Sequence, residues 1–227
     1  MNQYLNKKRN NNVIHYLWKK GEQHMKSMLL KAIFYLVGIV IIAFGISLTI
    51  KADLGAGAWD ALNVGLTESF GLTVGNWVII IGALLIVSNA LIAKERPDVL
   101  AVITILILGK VIDFWLLGAL NTVTFSMFWD QLIILLSGIV AIAIGVALYL
   151  QSKFSLNPVD GFMVALQKRF GFSLTLSKTL TEAFALVGAL ILGGPIGFGT
   201  LVILIGIGPA IQFFDTKAQW AMNKLLS

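Results

Sequence analysis

Two aspartates are the residues whose type and setting best fit chemistry in this chain of 227 residues. Asp60 and Asp160 lie 100 positions apart, and each opens a short mixed segment between long apolar runs. An ionisable group at membrane depth is costly and is treated as a candidate functional group, so two matched carboxylates facing a cavity could bind a cation or a proton. The structural alternative is a carboxylate that accepts backbone N–H bonds in the first turn of a helix and complements its dipole.

Three further polar residues join the aspartates as candidates. Asn63 lies about one helical turn after Asp60. Asp113 lies within an apolar run three positions after Lys110, so the two could neutralise each other across one turn. The second half has Gln212 at the place of Asp113, which shows that the fold does not require the charge pair and leaves a substrate or coupling role open. The candidate lining residues of a solute site are therefore Asp60, Asn63, Asp160, Asp113 and Gln212.

Other kinds of chemistry find no support in the sequence. The chain has no cysteine and only two histidines, His15 and His24, both in the polar N-terminal stretch, which argues against disulfides and against thiolate or histidine metal sites. The glycine-rich run 193–200 lacks the lysine that a phosphate-binding loop requires and is typical of a tight turn. Glu182, one turn after Lys178, is interpreted as an interfacial ion pair. We expect no enzyme, no cofactor and no bound metal.

The elements that must position these residues are membrane helices. Hydrophobic residues make up 58% of the chain and charged residues 12%, whereas soluble domains carry about 25% charged residues. A span of about 30 Å of hydrocarbon needs roughly 20 apolar residues. The net charge of +6 is interpreted as an excess of basic residues in cytoplasmic loops rather than as a sign of nucleic-acid binding. Six runs are predicted to span the membrane: 30–50, 76–93, 99–118, 131–150, 179–193 and 200–214.

The chain also repeats itself with a period of about 100 residues. Over positions 38–77, 12 of 40 residues equal the residue 100 positions later. Apolar composition could mimic the helical part of this match, but not the aspartate and the Phe-Gly pair (70–71 and 170–171) in the same register. The sequence therefore predicts two membrane repeats, 30–118 and 131–216, joined by an extracytoplasmic connection at 119–130.

Charge distribution favours inverted repeats over parallel ones. Each repeat has three spans and a mixed segment, 55–71 or 155–171, that either crosses or is re-entrant or interfacial. If these segments do not cross, 15 of the 17 basic residues lie on the cytoplasmic side, as the positive-inside rule favours. We predict an all-α polytopic protein of six transmembrane helices in two inverted three-helix repeats, with both termini cytoplasmic and a cytoplasmic tail at 217–227.

The N-terminal segment 1–29 is basic and rich in asparagine, with no period that would build a packed element. Residues 20–24 precede Met25 and can be encoded by a purine-rich stretch that resembles a bacterial ribosome-binding site. We hypothesise that the native start is Met25. The alternative is a basic arm on the cytoplasmic membrane surface, held by anionic lipid. Mass spectrometry of the mature N-terminus tests this, because a peptide that spans residues 18–20 would contradict a start at Met25.

Four stretches of the sequence resemble a known family. They are GISLTIKADLGAGAWDALNVGLTESFGLTVGNW (45–77), KVIDFWLL (110–117), NPVDGFMVAL followed by RFGFS (157–173), and GGPIGFGT (193–200). Together they are similar to the YczE/YyaS/YitT-like integral membrane proteins of bacteria, closest to the YczE type. The resemblance covers about residues 30–216. It implies a protein of the bacterial plasma membrane and no particular substrate.

Two classes of function are compatible with these features. Inverted repeats with interrupted membrane segments commonly build a substrate site near the bilayer midplane, which favours a secondary transporter or permease for a small solute or ion. The alternative is a non-transporting scaffold or regulator that supports a biosynthetic or signalling complex through a membrane or cytoplasmic protein partner. The lipid bilayer is a partner in either case, and nucleic acid is not expected in either.

Overall fold

The structure is a computed structural model. It describes the backbone of residues 2–226 and the side chains of residues 21–226. Within these residues the chain forms eight α-helices, and a π-helical stretch, Phe114–Ala119, extends the fourth. The helices are α1 (Asn2–Lys51), α2 (Ala58–Phe70), α3 (Val74–Ala93), α4 (Val99–Asp113), α5 (Phe128–Ser152), α6 (Pro158–Phe170), α7 (Leu174–Ile191) and α8 (Phe198–Leu226).

Six of these helices are long and apolar enough to cross a membrane, namely α1, α3, α4 with its π-helical extension, α5, α7 and α8. The predicted all-helical fold with six spans is therefore confirmed. Two predicted boundaries differ. Helix α5 begins at Phe128, so the connection is shorter than 119–130, and α8 continues as helix through most of the predicted tail 217–227. Helix α1 extends upstream of its apolar run, and residues 21–26 there are exposed. The side chains of residues 1–20 of the predicted N-terminal segment lie outside the described residues.

The two short helices begin where the sequence predicts. Helix α2 starts after Gly57, and α6 starts after Asn157, whose side chain accepts a bond from the Val159 backbone N–H at 3.3 Å. Pro158 occupies the first turn, where its missing N–H costs nothing. Each helix has 13 residues and is about 20 Å long, which is too short for about 30 Å of hydrocarbon.

Four glycines let α1 and α5 cross in close contact. A Cβ atom added at Gly38 would lie 2.7 Å from the backbone oxygen of Gly145, and one at Gly45 would lie 2.7 Å from that of Gly138. The earlier residue of α1 meets the later residue of α5, so the two helices run antiparallel. Small residues at a membrane helix interface allow such close backbone approach. These glycines belong to the repeated motif, so the repeat itself builds the central contact.

Replacing Gly45 by alanine is expected to destabilise the protein. The new methyl group would need the α5 backbone to move, and overpacking of this kind typically costs about 1–3 kcal/mol. The measurement is the thermal unfolding midpoint of the detergent-purified variant. Gly206→Ala on α8 is the matched control, because a Cβ atom there meets no atom within 4 Å. Equal midpoints for the two variants would contradict the predicted α1–α5 contact.

Helices α1 and α4 run parallel. Tyr35 on α1 is hydrogen-bonded to Thr104 early in α4. Further along both helices, the ring of Phe44 lies against that of Trp115 just beyond the end of α4, with a centroid distance of 4.6 Å. Because the order of contacts is the same on both helices, α4 ends at the same end of the bundle as Lys51, the last residue of α1.

Helix α3 begins at that same end. The backbone N–H of Gly75 donates to the Asp113 carboxylate at 2.8 Å, which places the start of α3 beside the end of α4. We call this end of the bundle the Lys51 face. The opposite end, where α3 and the antiparallel α5 finish, is called the Lys153 face after the residue that follows α5.

Helix α2 enters and leaves through the Lys51 face, because α1 ends there and α3 begins there. The Trp59 ring lies 6.3 Å from that of Phe184 on α7, and the Ser69 hydroxyl donates to the Leu192 carbonyl at 3.3 Å. Phe184 precedes Ile191, the last residue of α7, by seven positions, or about 10 Å of helix. The start of α2 therefore lies roughly 10 Å deeper than its end.

Helix α6 has the corresponding geometry on the Lys153 face. The Asn89 side chain on α3 donates to the Pro158 carbonyl at 2.8 Å, and Lys168 forms an ion pair at 2.8 Å with Glu95, beyond the end of α3. The start of α6 is thus nearer the middle of the bundle than its end. Helix α2 packs mainly on α7 of the other repeat, and α6 packs mainly on α3.

Candidate functional site

A large cavity lies between the starts of the two short helices. Its volume is about 1010 Å³, and most of its lining side chains are aliphatic. Ligand pockets usually measure about 300–1,000 Å³ and are mainly apolar, with a few polar groups that orient the ligand. The charged residues on its wall are Asp60, Asp160, Lys178 and Glu182. The first turns of α2 and α6 thus contribute one carboxylate each.

The Asp60 carboxylate has no hydrogen-bond partner in the part of the chain that the structure describes. Its oxygen lies close to Gly57, where an added Cβ atom would be 3.0 Å away, but the start of α2 has no side-chain cap hydrogen bond. The charge that acts on it is that of Glu182, which is also negative. The structural explanation, a carboxylate that caps its own helix through a backbone hydrogen bond, therefore does not describe Asp60.

Asp160 has a partner that Asp60 lacks. The Tyr149 hydroxyl on α5 donates to its carboxylate at 2.8 Å. The repeat places Thr49 at the position of Tyr149 in the first half, and its hydroxyl donates to the Ile46 carbonyl within α1 instead. The two aspartates are therefore equivalent in position but not in bonding.

Glu182 and Lys178 also face the cavity from α7. Lys178 acts electrostatically on both Asp160 and Glu182. The ion pair found among residues 21–226 is that of Lys168 and Glu95, so the interfacial pair predicted between Lys178 and Glu182 is not formed as a direct contact. One ammonium group instead faces three separated carboxylates across the cavity.

Two buried polar atoms beside Asp60 have no hydrogen-bond partner. They are Nε1 of Trp59 and Oδ1 of Asn63. Both side chains line the cavity, and only 8% of Trp59 and 5% of Asn63 is exposed. A buried polar group left unpaired costs about 1–3 kcal/mol, so each of these atoms needs a water or a ligand as its partner. Trp59 and Asn63, together with Asp60, are the polar residues that α2 contributes to the cavity wall.

The two repeats differ in how tightly their last two helices pack. A Cβ atom at Gly109 on α4 would meet the backbone oxygen of Gly75 on α3, so these helices touch near the Lys51 face. At the matching Gly208 on α8, a Cβ atom has no neighbour within 4 Å. Gly208 and Thr175 both line the cavity. The cavity therefore separates the beginning of α7 from the later part of α8 toward the Lys153 face.

Asp113 joins the end of α4 to the start of α3. Its carboxylate accepts from the Thr73 hydroxyl at 2.6 Å and from the Gly75 backbone N–H at 2.8 Å. The predicted neutralising pair with Lys110 is wrong, because the start of α3 takes both carboxylate oxygens, and the Lys110 side chain is exposed. The π-helical stretch begins directly after Asp113.

The structure brings together three of the five residues predicted to line a common site. Asp60, Asn63 and Asp160 lie on the cavity wall. Asp113 is bonded to α3 at the Lys51 face, and Gln212 is exposed on α8, so the geometry does not place these two at the cavity. Asp113 lies on the side of α4 that packs against the start of α3, and Gln212 follows Ile211, the last α8 residue on the cavity wall.

Sequence reasoning assigned no site role to three of the lining residues, Trp59, Tyr149 and Lys178. Trp59 stands directly before Asp60, and Lys178 precedes Glu182 within an apolar run, so adjacency to an acid was an available signal for both. Nothing in the sequence marked Tyr149, because its contact with Asp160 depends on how α5 packs against α6. Within residues 21–226, no three His, Cys, Asp or Glu side chains are grouped closely enough to hold a metal ion.

Comparisons with known proteins identify relatives without an assigned activity. The model of DUF6198, a family of unknown function, matches residues 29–216. The chain is 39% identical over 185 residues to the uncharacterized protein YyaS of Bacillus subtilis strain 168, covering 82% of this chain and 92% of the relative. It is 36% identical over 201 residues to the uncharacterized membrane protein YczE of the same strain, covering 87% and 91%. No solved structure matches the chain.

Proposed function

The chain belongs to the DUF6198 family of unknown function, and we propose that this membrane protein is a secondary transporter or permease for a small solute. The observation that carries the proposal is the cavity of about 1010 Å³ between the starts of two short helices, lined by Asp60, Asn63 and Asp160. Helices that are interrupted at membrane depth commonly form the substrate site of secondary transporters. A cavity with unpaired polar atoms fits a ligand better than it fits a purely structural core.

The proposed architecture is a pair of inverted repeats. Three features of the packing support it. Helices α1 and α5, which share the repeated motif, cross antiparallel through their glycines. Helix α2 packs on α7 while α6 packs on α3, so each short helix is held by the other repeat. Helix α1 ends and α3 begins at the Lys51 face, and correspondingly α5 ends and α7 begins at the Lys153 face. A two-fold axis in the membrane plane relates such halves.

Alternating access follows from the difference between the repeats. The α3–α4 pair is closed near the Lys51 face by Gly75, Gly109 and Asp113. The α7–α8 pair is separated by the cavity. Exchange of these two conformations between the repeats would close the cavity toward the Lys153 face and open it toward the Lys51 face. Rocking of one repeat against the other around a fixed site is the usual mechanism for this class of transporter.

The orientation in the membrane is proposed from charge. We propose that the protein lies in the bacterial plasma membrane with the Lys51 face outside and both termini in the cytoplasm. In this orientation Lys51 would lie at the outer face and Lys110 within a span, and the other 15 basic residues of the sequence would fall on the cytoplasmic side. Cytoplasmic loops carry the excess of lysine and arginine in membrane proteins.

Single cysteines test the inverted topology, because the chain has no native cysteine. Glu68 and Arg169 are exposed near the ends of α2 and α6. A membrane-impermeant maleimide is expected to label Glu68→Cys from one side of the membrane and Arg169→Cys from the other. The reason is that each short helix returns to the face from which it entered. Labelling of both positions from the same side would show parallel repeats with crossing segments.

A cysteine on the cavity wall tests transport without knowledge of the substrate. Ala183 on α7 lines the cavity, and Val187, one turn later on the same helix, is 56% exposed and does not line it. In a transporter, Ala183→Cys is expected to react with an impermeant maleimide from both sides of the membrane. Val187→Cys is expected to react from neither side. Reaction of Ala183→Cys from one side only would contradict transport and favour a scaffold or regulator.

A further inference from the structure

Three carboxylates and one ammonium line the cavity, which gives its wall an excess of negative charge. They are Asp60, Asp160 and Glu182 against Lys178. A solute that enters this cavity leaves water and exchanges its hydration for these fixed charges. Like charges repel strongly in a medium of low dielectric constant, so an anionic solute would meet two more acids than bases.

Asn63 supplies an observation that is independent of the acids. Its side chain is 5% exposed, lines the cavity, and carries an Oδ1 atom without a hydrogen-bond partner. An amide oxygen only accepts hydrogen bonds. The Asp60 carboxylate, one turn earlier, is also an acceptor without a donor among residues 21–226. Two of the three unpaired groups at this point are therefore acceptors, which fit a ligand that brings several N–H donors, such as an ammonium group. The third, Nε1 of Trp59, is a donor that an ammonium group does not pair.

The walls of the rest of the cavity indicate which kind of molecule carries the N–H donors of the ligand. Among the described residues, no three His, Cys, Asp or Glu side chains are grouped as metal ligands. The cavity has a volume of about 1010 Å³ and mainly aliphatic walls, far more apolar surface than an inorganic cation can contact. A ligand with an apolar body would cover these walls and displace water from them.

We propose that the cavity binds an amphipathic organic cation, with a protonated amine at Asp60 and Asn63 and an apolar body along the aliphatic wall. This inference rests on the proposed transport function for its physiological meaning, but the binding site stands on its own geometry. Tyr149 already donates to Asp160 and Lys178 lies near Asp160 and Glu182. Asp60 is therefore the carboxylate left without a donor for the incoming amine.

The test compares three probes that share one apolar body and differ in charge: 4-phenylbutylamine, 4-phenylbutyrate and 4-phenylbutanol. Binding to the full-length protein in lipid nanodiscs is measured by calorimetry, with empty nanodiscs as the blank for partitioning into lipid. The amine is expected to bind at least tenfold more tightly than the alcohol, and the carboxylate is expected not to bind. Sodium and potassium chloride at equal ionic strength are expected not to compete with the amine.

Matched variants locate the site. Asp60→Asn removes the charge at nearly constant volume and is expected to weaken amine binding at least tenfold. Glu68→Gln is the control, because it removes one carboxylate from the same helix at an exposed position outside the cavity. Asn63→Leu is expected to weaken binding of the amine more than binding of the alcohol. Thermal unfolding of each variant shows whether it is folded.

The outcomes separate this inference from the transport proposal. Preference for the carboxylate, absence of amine binding, or equal amine affinity in Asp60→Asn and Glu68→Gln would overturn the cation site. Labelling of Ala183→Cys from both sides would leave transport standing in each of these cases. Conversely, amine binding that depends on Asp60, together with one-sided labelling, would support the cation site and contradict transport.

Discussion

Oxidation of a Thr175→Cys/Gly208→Cys pair is expected to form a disulfide in most chains and to hold the protein closed toward the Lys153 face. These positions match Gly75 and Gly109, which pack backbone to backbone in the first repeat. Here Thr175 and Gly208 line the same cavity from α7 and α8, and Gly208 has no neighbour for a Cβ atom within 4 Å. Copper phenanthroline in native membranes followed by mass spectrometry measures the cross-linked fraction.

Two controls give the cross-link its meaning. Asn89→Cys/Gly161→Cys joins positions already in contact, since a Cβ atom at Gly161 lies 2.8 Å from the Asn89 amide nitrogen, and it is expected to cross-link in any state. In the Thr175→Cys/Gly208→Cys protein, the amine probe is expected to change the rate of cross-linking, because a ligand shifts a two-state equilibrium when it binds the states unequally. If the Asn89→Cys/Gly161→Cys control cross-links and the Thr175→Cys/Gly208→Cys pair does not, α7 and α8 stay apart.

The sequence predicted the elements of this fold better than it predicted their mutual packing. Composition and run length identify six spans because a bilayer imposes one length and one solvent on each. The starts of α2 and α6 were also predictable, since Gly57, Asn157 and Pro158 act through local backbone geometry. The π-helical stretch after Asp113 was not predictable, because no local residue signal specifies it.

The candidate site could be predicted only where the repeat marked it. Asp60 and Asp160 stood out because the sequence repeat gives both halves an aspartate at the same position. The same logic misplaced Asp113 and Gln212, since membership of a motif does not say which side of a helix faces the cavity. The contact of Tyr149 with Asp160 joins two helices, and a single sequence contains no signal for it.

Replacing Asp113 by alanine is expected to open the Lys51 face. The variant loses two hydrogen bonds to a carboxylate, from the Thr73 hydroxyl and the Gly75 N–H, and bonds to a charged group are worth about 1.5–3 kcal/mol each. We therefore expect the free energy of unfolding to fall by at least about 3 kcal/mol. Loss of the same bonds should also destabilise the closed α3–α4 contact relative to the open state. Each 1.4 kcal/mol of this loss shifts the equilibrium tenfold toward the open state.

The second effect separates a gate from a simple structural bond. Val78 lies one turn after the start of α3 and lines the cavity. With Asp113→Ala, a maleimide confined to the side of the Lys51 face is expected to label Val78→Cys roughly tenfold faster than in the parent. Asp130→Ala is the matched control, because Asp130 is exposed in the first turn of α5 at the same face. Lower stability without faster labelling would mean that Asp113 supports the fold but does not govern access to the cavity.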